Sequence, residues 1–184
     1  MQRVTRQEIL DYVTYEEQRD KFRKKILKIK ERRRINVADD LSFLFENTDT
    51  VRYQIQEMIR VERMVKEVDI LHEIKTYNEL LGDSGELGCT LLIEIDDPDE
   101  REEKLTQWLE LPKHLYLSLE DESRIRASLD ERQIGDARLS SVQYIKFKTA
   151  GKTPVAIGSD LPLLKAETVL TADQKKALSE DLFL

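Results

Sequence analysis

Four residues in the first half of the chain have side chains that commonly bind metal ions. They are Glu62, Asp69, His72 and Glu73. Residues three and four apart on a helix share one face, so a single helix through this region would bring these side chains together. Histidine with carboxylates suits one transition metal ion. Asp69-x-x-His72 has no second copy, which argues against a di-iron bundle. The alternative is salt bridging to Arg19 or Arg23.

The most concentrated charge lies between Lys21 and Arg34. This stretch holds nine Lys or Arg and one Glu, although the whole chain has a net charge of −7. A positive patch on an acidic chain suits an anionic partner. The residues that we assign to a partner-binding surface are Lys21, Arg23, Lys24, Lys25, Lys28, Arg32, Arg33 and Arg34.

Nucleic acid is a weaker candidate ligand for this basic run than protein. Clustered cations bind phosphates whatever the base sequence, but no helix-turn-helix, zinc-finger or RNP signature accompanies the run. The sequence pI of about 5.1 is also low for such a protein. The alternative without a binding function is that acids of the same chain neutralise the run. Those acids would be Glu57, Glu62, Glu67 and Asp69 on a second helix.

Three other groups have simple structural explanations. Cys89, the only cysteine, is expected to be a small buried side chain. Asp97 precedes Pro98, and Glu100 follows three residues after Asp97, which predicts a helix N-cap rather than an acid–base pair. An alternating polar set predicts the solvated face of a sheet, which could serve as a docking platform. It comprises His114, Tyr116, Ser118, Glu120, Arg124, Arg126 and Ser128.

Long helices are predicted to position the metal and partner candidates. Thr5 with Glu8 forms a capping-box pattern at the start of a first helix, which carries the basic run. A second helix is predicted over residues 49–81, before the turn residues Gly82 and Gly85. The apolar segment Phe43–Phe45 is interpreted as a plug between the two helices, which would pack antiparallel.

Beyond Gly85 the apolar period changes from helical to alternating. Alternation around residues 91–95, 115–119 and 125–129 predicts antiparallel strands with one solvated face, and residues 120–123 predict a hairpin turn. Residues 141–148 and 153–158 predict two more strands, and Thr171 with Gln174 predicts a capped terminal helix. The predicted fold class is α+β: a long helical hairpin in residues 1–84, then a mainly antiparallel sheet with short helices in residues 85–184. The two units could equally form one cooperative domain.

Composition restricts the class of protein. Hydrophobic residues make up 40% and charged residues 36% of the 184 residues, which indicates a folded and highly charged chain rather than a disordered one. A single cysteine excludes an intramolecular disulfide and fits a reducing compartment. No secretory signal opens the sequence, and no apolar run is long enough to span a bilayer. We expect a cytoplasmic protein without membrane contact.

Several short motifs resemble those of a bacterial family catalogued only as a domain of unknown function. They are Phe45–Asn47 with Thr50, Gln54–Arg60 with Glu62, Tyr77–Leu81, Gly85–Leu87, Ile93–Ile95 and Ser141–Tyr144. The resemblance covers most of the chain. Genes of that family tend to lie beside rubrerythrin-like and iron–sulfur oxidoreductase genes, so the resemblance implies peroxide or redox metabolism. It implies no catalytic residue, because the family has no established activity.

Together these patterns favour a binding or accessory protein over an enzyme. The leading hypothesis is an accessory protein of redox or oxidative-stress metabolism, without a cofactor, that contacts a protein partner or a second copy of itself. Contact would involve the basic helix and the aromatic residues Tyr12, Tyr15 and Phe22. A carboxylate/histidine metal-binding protein is the first alternative. A nucleic-acid-binding module that uses the basic run is the second.

Overall fold

The computed structural model describes residues 2–129 and 137–183. Within these ranges the helices are α1 (Tyr12–Glu31), α2 (Thr48–Val61), α3 (Glu67–Asn78), α4 (Pro98–Gln107), α5 (Leu111–His114) and α6 (Ala172–Leu182). The strands are β1 (Arg34–Val37), β2 (Leu41–Phe45), β3 (Glu86–Ile93), β4 (Leu115–Leu119), β5 (Arg124–Arg126), β6 (Ser128–Leu129), β7 (Val142–Lys148), β8 (Pro154–Leu161) and β9 (Leu164–Val169). A short 3₁₀ turn, Arg6–Glu8, precedes α1.

Two antiparallel sheets form the centre of the fold. One has the strand order β1-β2-β3-β7-β6 and the other β5-β4-β8-β9. The larger core contains side chains of both sheets together with α4 and α6, among them Phe43, Phe147, Leu117 and Leu178. This architecture confirms the predicted α+β class and its antiparallel pairing.

Helices α1, α2 and α3 form a second layer. Helix α2 contacts both α1 and α3, and a smaller core lies within this layer, where Val51, Ile55 and Ile59 of α2 meet Ile70 and Ile74 of α3. The predicted adjacency of the first two long helices is therefore present, and it holds α1 with one side toward solvent.

The connection between α1 and α2 differs from the sequence interpretation. Phe43–Phe45 is not a plug but part of β2, and Phe43 pairs with Ile35 of β1 and Leu91 of β3. All five residues of β2 are buried. A strand that is covered on both faces has a continuous run of apolar residues rather than alternating apolar and polar ones. The two-residue period that identifies a strand is therefore missing from the sequence of β2.

The predicted second helix is also interrupted. Helix α2 ends at Val61 because Arg63 adopts a left-handed conformation with φ of 49°, and the Met64 amide donates to the Ile59 carbonyl at 3.0 Å. This is the geometry of a helix C-cap, formed without glycine. Beyond this interruption Val65 and Val68 are exposed.

Three predicted helix caps form, and one has a different role. The Asp97 carboxylate accepts from the amides of Asp99 and Glu100, and Thr171 caps α6. The Thr5–Glu8 pair forms as well but caps only the 3₁₀ turn. Helix α1 begins later, where Asp11 accepts from two amides of its first turn.

The larger sheet joins strands from both predicted units. Strand β2 pairs with β3, including Phe45 opposite Cys89, so the sheet crosses residue 84. Whether the two units unfold as one cooperative domain stays a prediction. No helix in the described part of the chain is both long and apolar enough to cross a lipid bilayer.

Candidate interaction surface

The solvent side of α1 carries a row of cations. Lys21, Lys25, Lys28 and Arg32 are spaced four, three and four residues apart, which places them on one side of the helix and its C-cap. All four side chains are exposed, and none forms an ion pair with another residue in the described ranges. We call these four residues the cationic stripe. The predicted surface also includes Arg23 and Lys24, which are exposed but lie outside the stripe, at other angles around α1.

Two of the four acids that were expected to neutralise the basic run bind other cations. Glu57 accepts from Arg19 Nε at 2.9 Å and from the Tyr15 hydroxyl at 2.7 Å. Glu67 bonds Arg6 Nε at 2.8 Å. Glu62 and Asp69 are exposed and lie in no ion pair among the residues described. Intramolecular neutralisation therefore leaves the cationic stripe untouched.

Arg33 does not belong to the exposed surface to which the sequence assigned it. It is buried, and its guanidinium donates to the equally buried carboxylate of Asp181 at 2.7 and 2.9 Å. Arg33 follows the buried Ile26 by seven residues, which turns it toward the protein interior. Its charge joins the end of α1 to α6, and it is not available to a partner.

The end of the basic run is partly covered by the protein. Arg34 is half-buried, with Nη1 at 3.7 Å from Glu94 Oε1. Lys30 Nζ lies 5.4 Å from the centre of the Tyr53 ring, and burial lowers the pKa of this lysine. These two cations border the stripe and have contacts of their own.

A small apolar cleft lies beside the stripe, between α1 and α2. Its volume is about 70 Å³. Its apolar lining consists of Leu10, Tyr15, Phe22, Ile26, Ile29 and Tyr53. Lys25 of the stripe also lines the cleft, so the two features share an edge. The sequence assigned Tyr15 and Phe22 to partner contact but did not predict a cleft between them and α2. The seven-residue spacing of Phe22 and Ile29 on α1 indicates its position.

The polar side chains around the apolar cleft are held by other protein groups. Arg52 is bound by Glu8 at 2.9 Å and by Asp49. The Gln56 amide accepts from the Leu10 amide at 2.6 Å and donates to the Leu10 carbonyl at 3.1 Å. The cleft therefore presents apolar surface beside Arg52 and Gln56, which are already bound within the protein, and beside Lys25 of the stripe.

The predicted metal ligands are divided between two elements. Glu62 is the exposed C-cap of α2, whereas Asp69, His72 and Glu73 lie on α3 beyond the interruption. Within residues 2–129 and 137–183, no group of three or more His, Cys, Asp or Glu side chains is arranged to hold a metal ion. Metal binding stays a prediction, and its premise of one continuous helix does not hold.

Polar side chains on one face of the smaller sheet form ion pairs and ring contacts with one another. Arg126 donates to both carboxylate oxygens of Asp160, at 2.9 and 2.6 Å, and His114 Nδ1 lies 2.8 Å from the same group. These bonds, chiefly that from Arg126, lower the pKa of Asp160. Arg124 lies 4.4 Å above the Tyr116 ring. The cations of this face, unlike those of the stripe, are paired.

Cys89 is buried, as expected, and burial raises the pKa of its thiol well above the ordinary value. A thiol that stays protonated is a poor nucleophile.

The nearby acid Glu46 is buried too and accepts from the hydroxyls of Thr50 and Thr90. Asn47 caps α2 together with Thr50. The Phe45–Asn47 motif thus has a structural role at the start of α2.

A larger groove of about 980 Å³ lies between α3 and the β6–β7 side of the larger sheet. Its lining mixes the cations Lys75 and Lys146 with the acids Glu73 and Glu79. Lys146 lies 3.7 Å from Glu86. Because the charges in its lining are of both signs, the groove does not favour one class of charged ligand.

Comparisons with known proteins agree with the fold. The family model described as "Protein of unknown function (DUF3501)" matches residues 3–182. The chain is also similar to a novel protein of unknown function from Burkholderia pseudomallei K96243, whose crystal structure gives a TM-score of 0.90 at 27% identity. That match covers 98% of this chain and 100% of the other. No curated protein matches the chain.

Proposed function

The chain belongs to this family of proteins of unknown function, and we propose that it is a binding protein whose cationic stripe contacts an acidic protein partner. One observation carries the proposal. The four stripe side chains are exposed and form no ion pair among the described residues, whereas several cations elsewhere are paired with acids. Acids that could have paired with the stripe bind Arg19 and Arg6 instead. The stripe is left exposed on a chain of net charge −7.

An acidic partner supplies what the stripe lacks. Like charges at this helical spacing repel one another, and an acidic surface placed against them removes that repulsion. Complementary charge also accelerates encounter and selects against cationic partners. The main physical consequence is that binding should weaken as salt concentration rises.

The metabolic role of the partner is inferred from the family resemblance alone. The resemblance to a family whose genes tend to lie beside oxidoreductase genes supports an accessory role in peroxide or redox metabolism, and we include that role in the proposal. A second copy of the chain is the other acidic protein to consider. Stripe-dependent self-association would make the partner this protein itself.

The test compares two variants with equal net charge. In the stripe variant Lys21, Lys25 and Lys28 are changed to Gln; in the control variant the exposed residues Lys66, Lys165 and Lys176 are changed to Gln. Each protein is used to capture partners from extract of its source cells at low and high salt, and its self-association is measured by light scattering.

We expect the wild type and the control variant to capture the same acidic protein, or to self-associate, and the stripe variant to lose about tenfold in affinity. Equal binding by the stripe and control variants would overturn the proposal. Recovery of nucleic acid instead of protein, lost in the stripe variant, would replace it with the nucleic-acid function.

A further inference from the structure

We infer that the partner contributes an acidic segment carrying a leucine-sized apolar side chain, which enters the apolar cleft while its acids contact the cationic stripe. This inference rests on the proposed function and adds the chemistry of the partner at the same surface. It comes from the shared edge of two features, a row of cations without ion pairs among the described residues and a cleft whose Arg52 and Gln56 are already bound within the protein.

The stripe and the cleft run side by side along α1. Phe22 follows Lys21 and Ile29 follows Lys28 in the sequence, and both apolar side chains line the cleft. Lys25 lies between them and belongs to both features. A segment that places acids over the stripe is therefore within side-chain reach of the cleft along the same two helical turns.

The walls of the apolar cleft are held in place by contacts within the protein. Arg52 and Gln56 are fixed by the bonds described above, and the Tyr15 and Phe22 rings contact each other with centroids 5.7 Å apart. Phe22 is still 36% exposed, which leaves apolar surface to cover. Preformed walls reduce the entropy that binding would otherwise cost.

The volume of the cleft restricts the inserted group. An enclosed apolar cavity of about 150 Å³ holds benzene, and this cleft has about 70 Å³. A branched aliphatic side chain such as leucine suits that space better than an aromatic ring. A phosphate backbone would use only the cations and leave the cleft empty, so the cleft favours a protein segment over nucleic acid.

The experiment uses synthetic peptides of about twelve residues, long enough to span the stripe at 1.5 Å per residue of helix. One peptide is all Glu with a central Leu, one has Ser in place of that Leu, and a single-stranded DNA of similar length is the third probe. Affinities for the full chain are measured by isothermal titration calorimetry at low salt.

We expect the Leu peptide to bind the wild type about tenfold more tightly than the Ser peptide, since a partly buried leucine supplies roughly that gain. Phe22→Ser should remove this difference and keep the salt-dependent binding of both peptides. Leu27→Ser is the matched control, because Leu27 is 55% exposed on the same helix and does not line the cleft.

The possible failures are distinguishable. Equal affinity of the Leu and Ser peptides for the wild type, with both lost in the stripe variant, would overturn this inference and leave the proposed function standing. Peptide binding that survives in the stripe variant would overturn the proposed function. DNA binding tighter than either peptide would also overturn both. The wild-type comparison of peptides needs no variant and does not depend on whether Phe22→Ser folds.

Discussion

At the scale of single residues, Glu57 helps to explain why the cationic stripe has no ion pair among the described residues. Its carboxylate is bound by Arg19 and Tyr15 from α1 and lies 3.3 Å from Arg60 Nη2 on α2. Burial alone would raise the pKa of Glu57, but the hydrogen bonds from Arg19 and Tyr15 outweigh it and lower the pKa to about 2. This acid of α2 therefore holds α1 against α2 and does not pair with the stripe.

The low pKa of Glu57 predicts a pH-dependent contribution to stability. Its folded-state pKa of about 2 lies below the ordinary value of 4.5, so the ionised form stabilises the fold above that ordinary value and the contribution fades as pH falls toward the folded pKa. Glu57→Gln should therefore lower the free energy of unfolding by about 2 kcal/mol near pH 6 and by clearly less near pH 3. Urea unfolding at each pH measures this.

Glu62→Gln is the control for that prediction, because Glu62 is an exposed acid at the end of the same helix. Its effect on the free energy of unfolding should be within about 0.5 kcal/mol at every pH. A Glu57→Gln effect that stays constant across this range would contradict the assignment of stability to the ionised carboxylate.

At the scale of elements, one glycine allows β3 to pass close to the segment after α3. A Cβ at Gly88 would overlap the carbonyl oxygen of Leu80 and approach the Gly82 amide at 3.2 Å. Both neighbours are backbone atoms, which cannot rotate away. The contact fixes the helical layer against the sheet.

Gly88→Ala should therefore lower the free energy of unfolding by about 3 kcal/mol. Gly151→Ala is the comparison: a Cβ there meets only the Phe183 ring at 3.9 Å, and the cost arises from its φ of 83°. We expect about 1 kcal/mol for that substitution. Thermal and urea unfolding of the two variants give the ranking, and an equal cost would contradict the close approach of β3 to Leu80.

The elements that could be predicted from the sequence are those with local signals. Alternating apolar residues predicted β4 with its bounds, and Asp97 and Thr171 marked helix starts. The end of α2 could not be predicted, because Arg63 adopts positive φ without being glycine. The spacing from Ile26 indicates that Arg33 points inward, but its partner could not be predicted, since Asp181 is 148 residues away in the chain. The charge run that contains the stripe was predictable. The absence of ion pairs to the stripe among the described residues was not, because it depends on which cations the distant acids Glu57 and Glu67 bind.

At the scale of the whole molecule, the two predicted units share structure on both sides of residue 84. Strand β2 pairs with β3 through five residue pairs. The larger core contains side chains of β1 and β2 together with those of β4, β8 and α6, and the Arg33–Asp181 pair joins the end of α1 to α6. Neither half can unfold without exposing the buried strands of the other.

This sharing predicts one cooperative unfolding transition, with two probes that report different parts of the molecule. Far-UV circular dichroism follows the helices, whose described residues lie mostly before residue 84. Trp108, the only tryptophan, is instead buried in the larger core. The two urea unfolding curves should coincide, and the calorimetric enthalpy should equal the van't Hoff enthalpy. A fragment of residues 85–184 expressed alone should fail to fold, because β3 would lose β2 as its neighbour. Fluorescence and dichroism curves with separate midpoints would show instead that the sheet unit is stable without the helices.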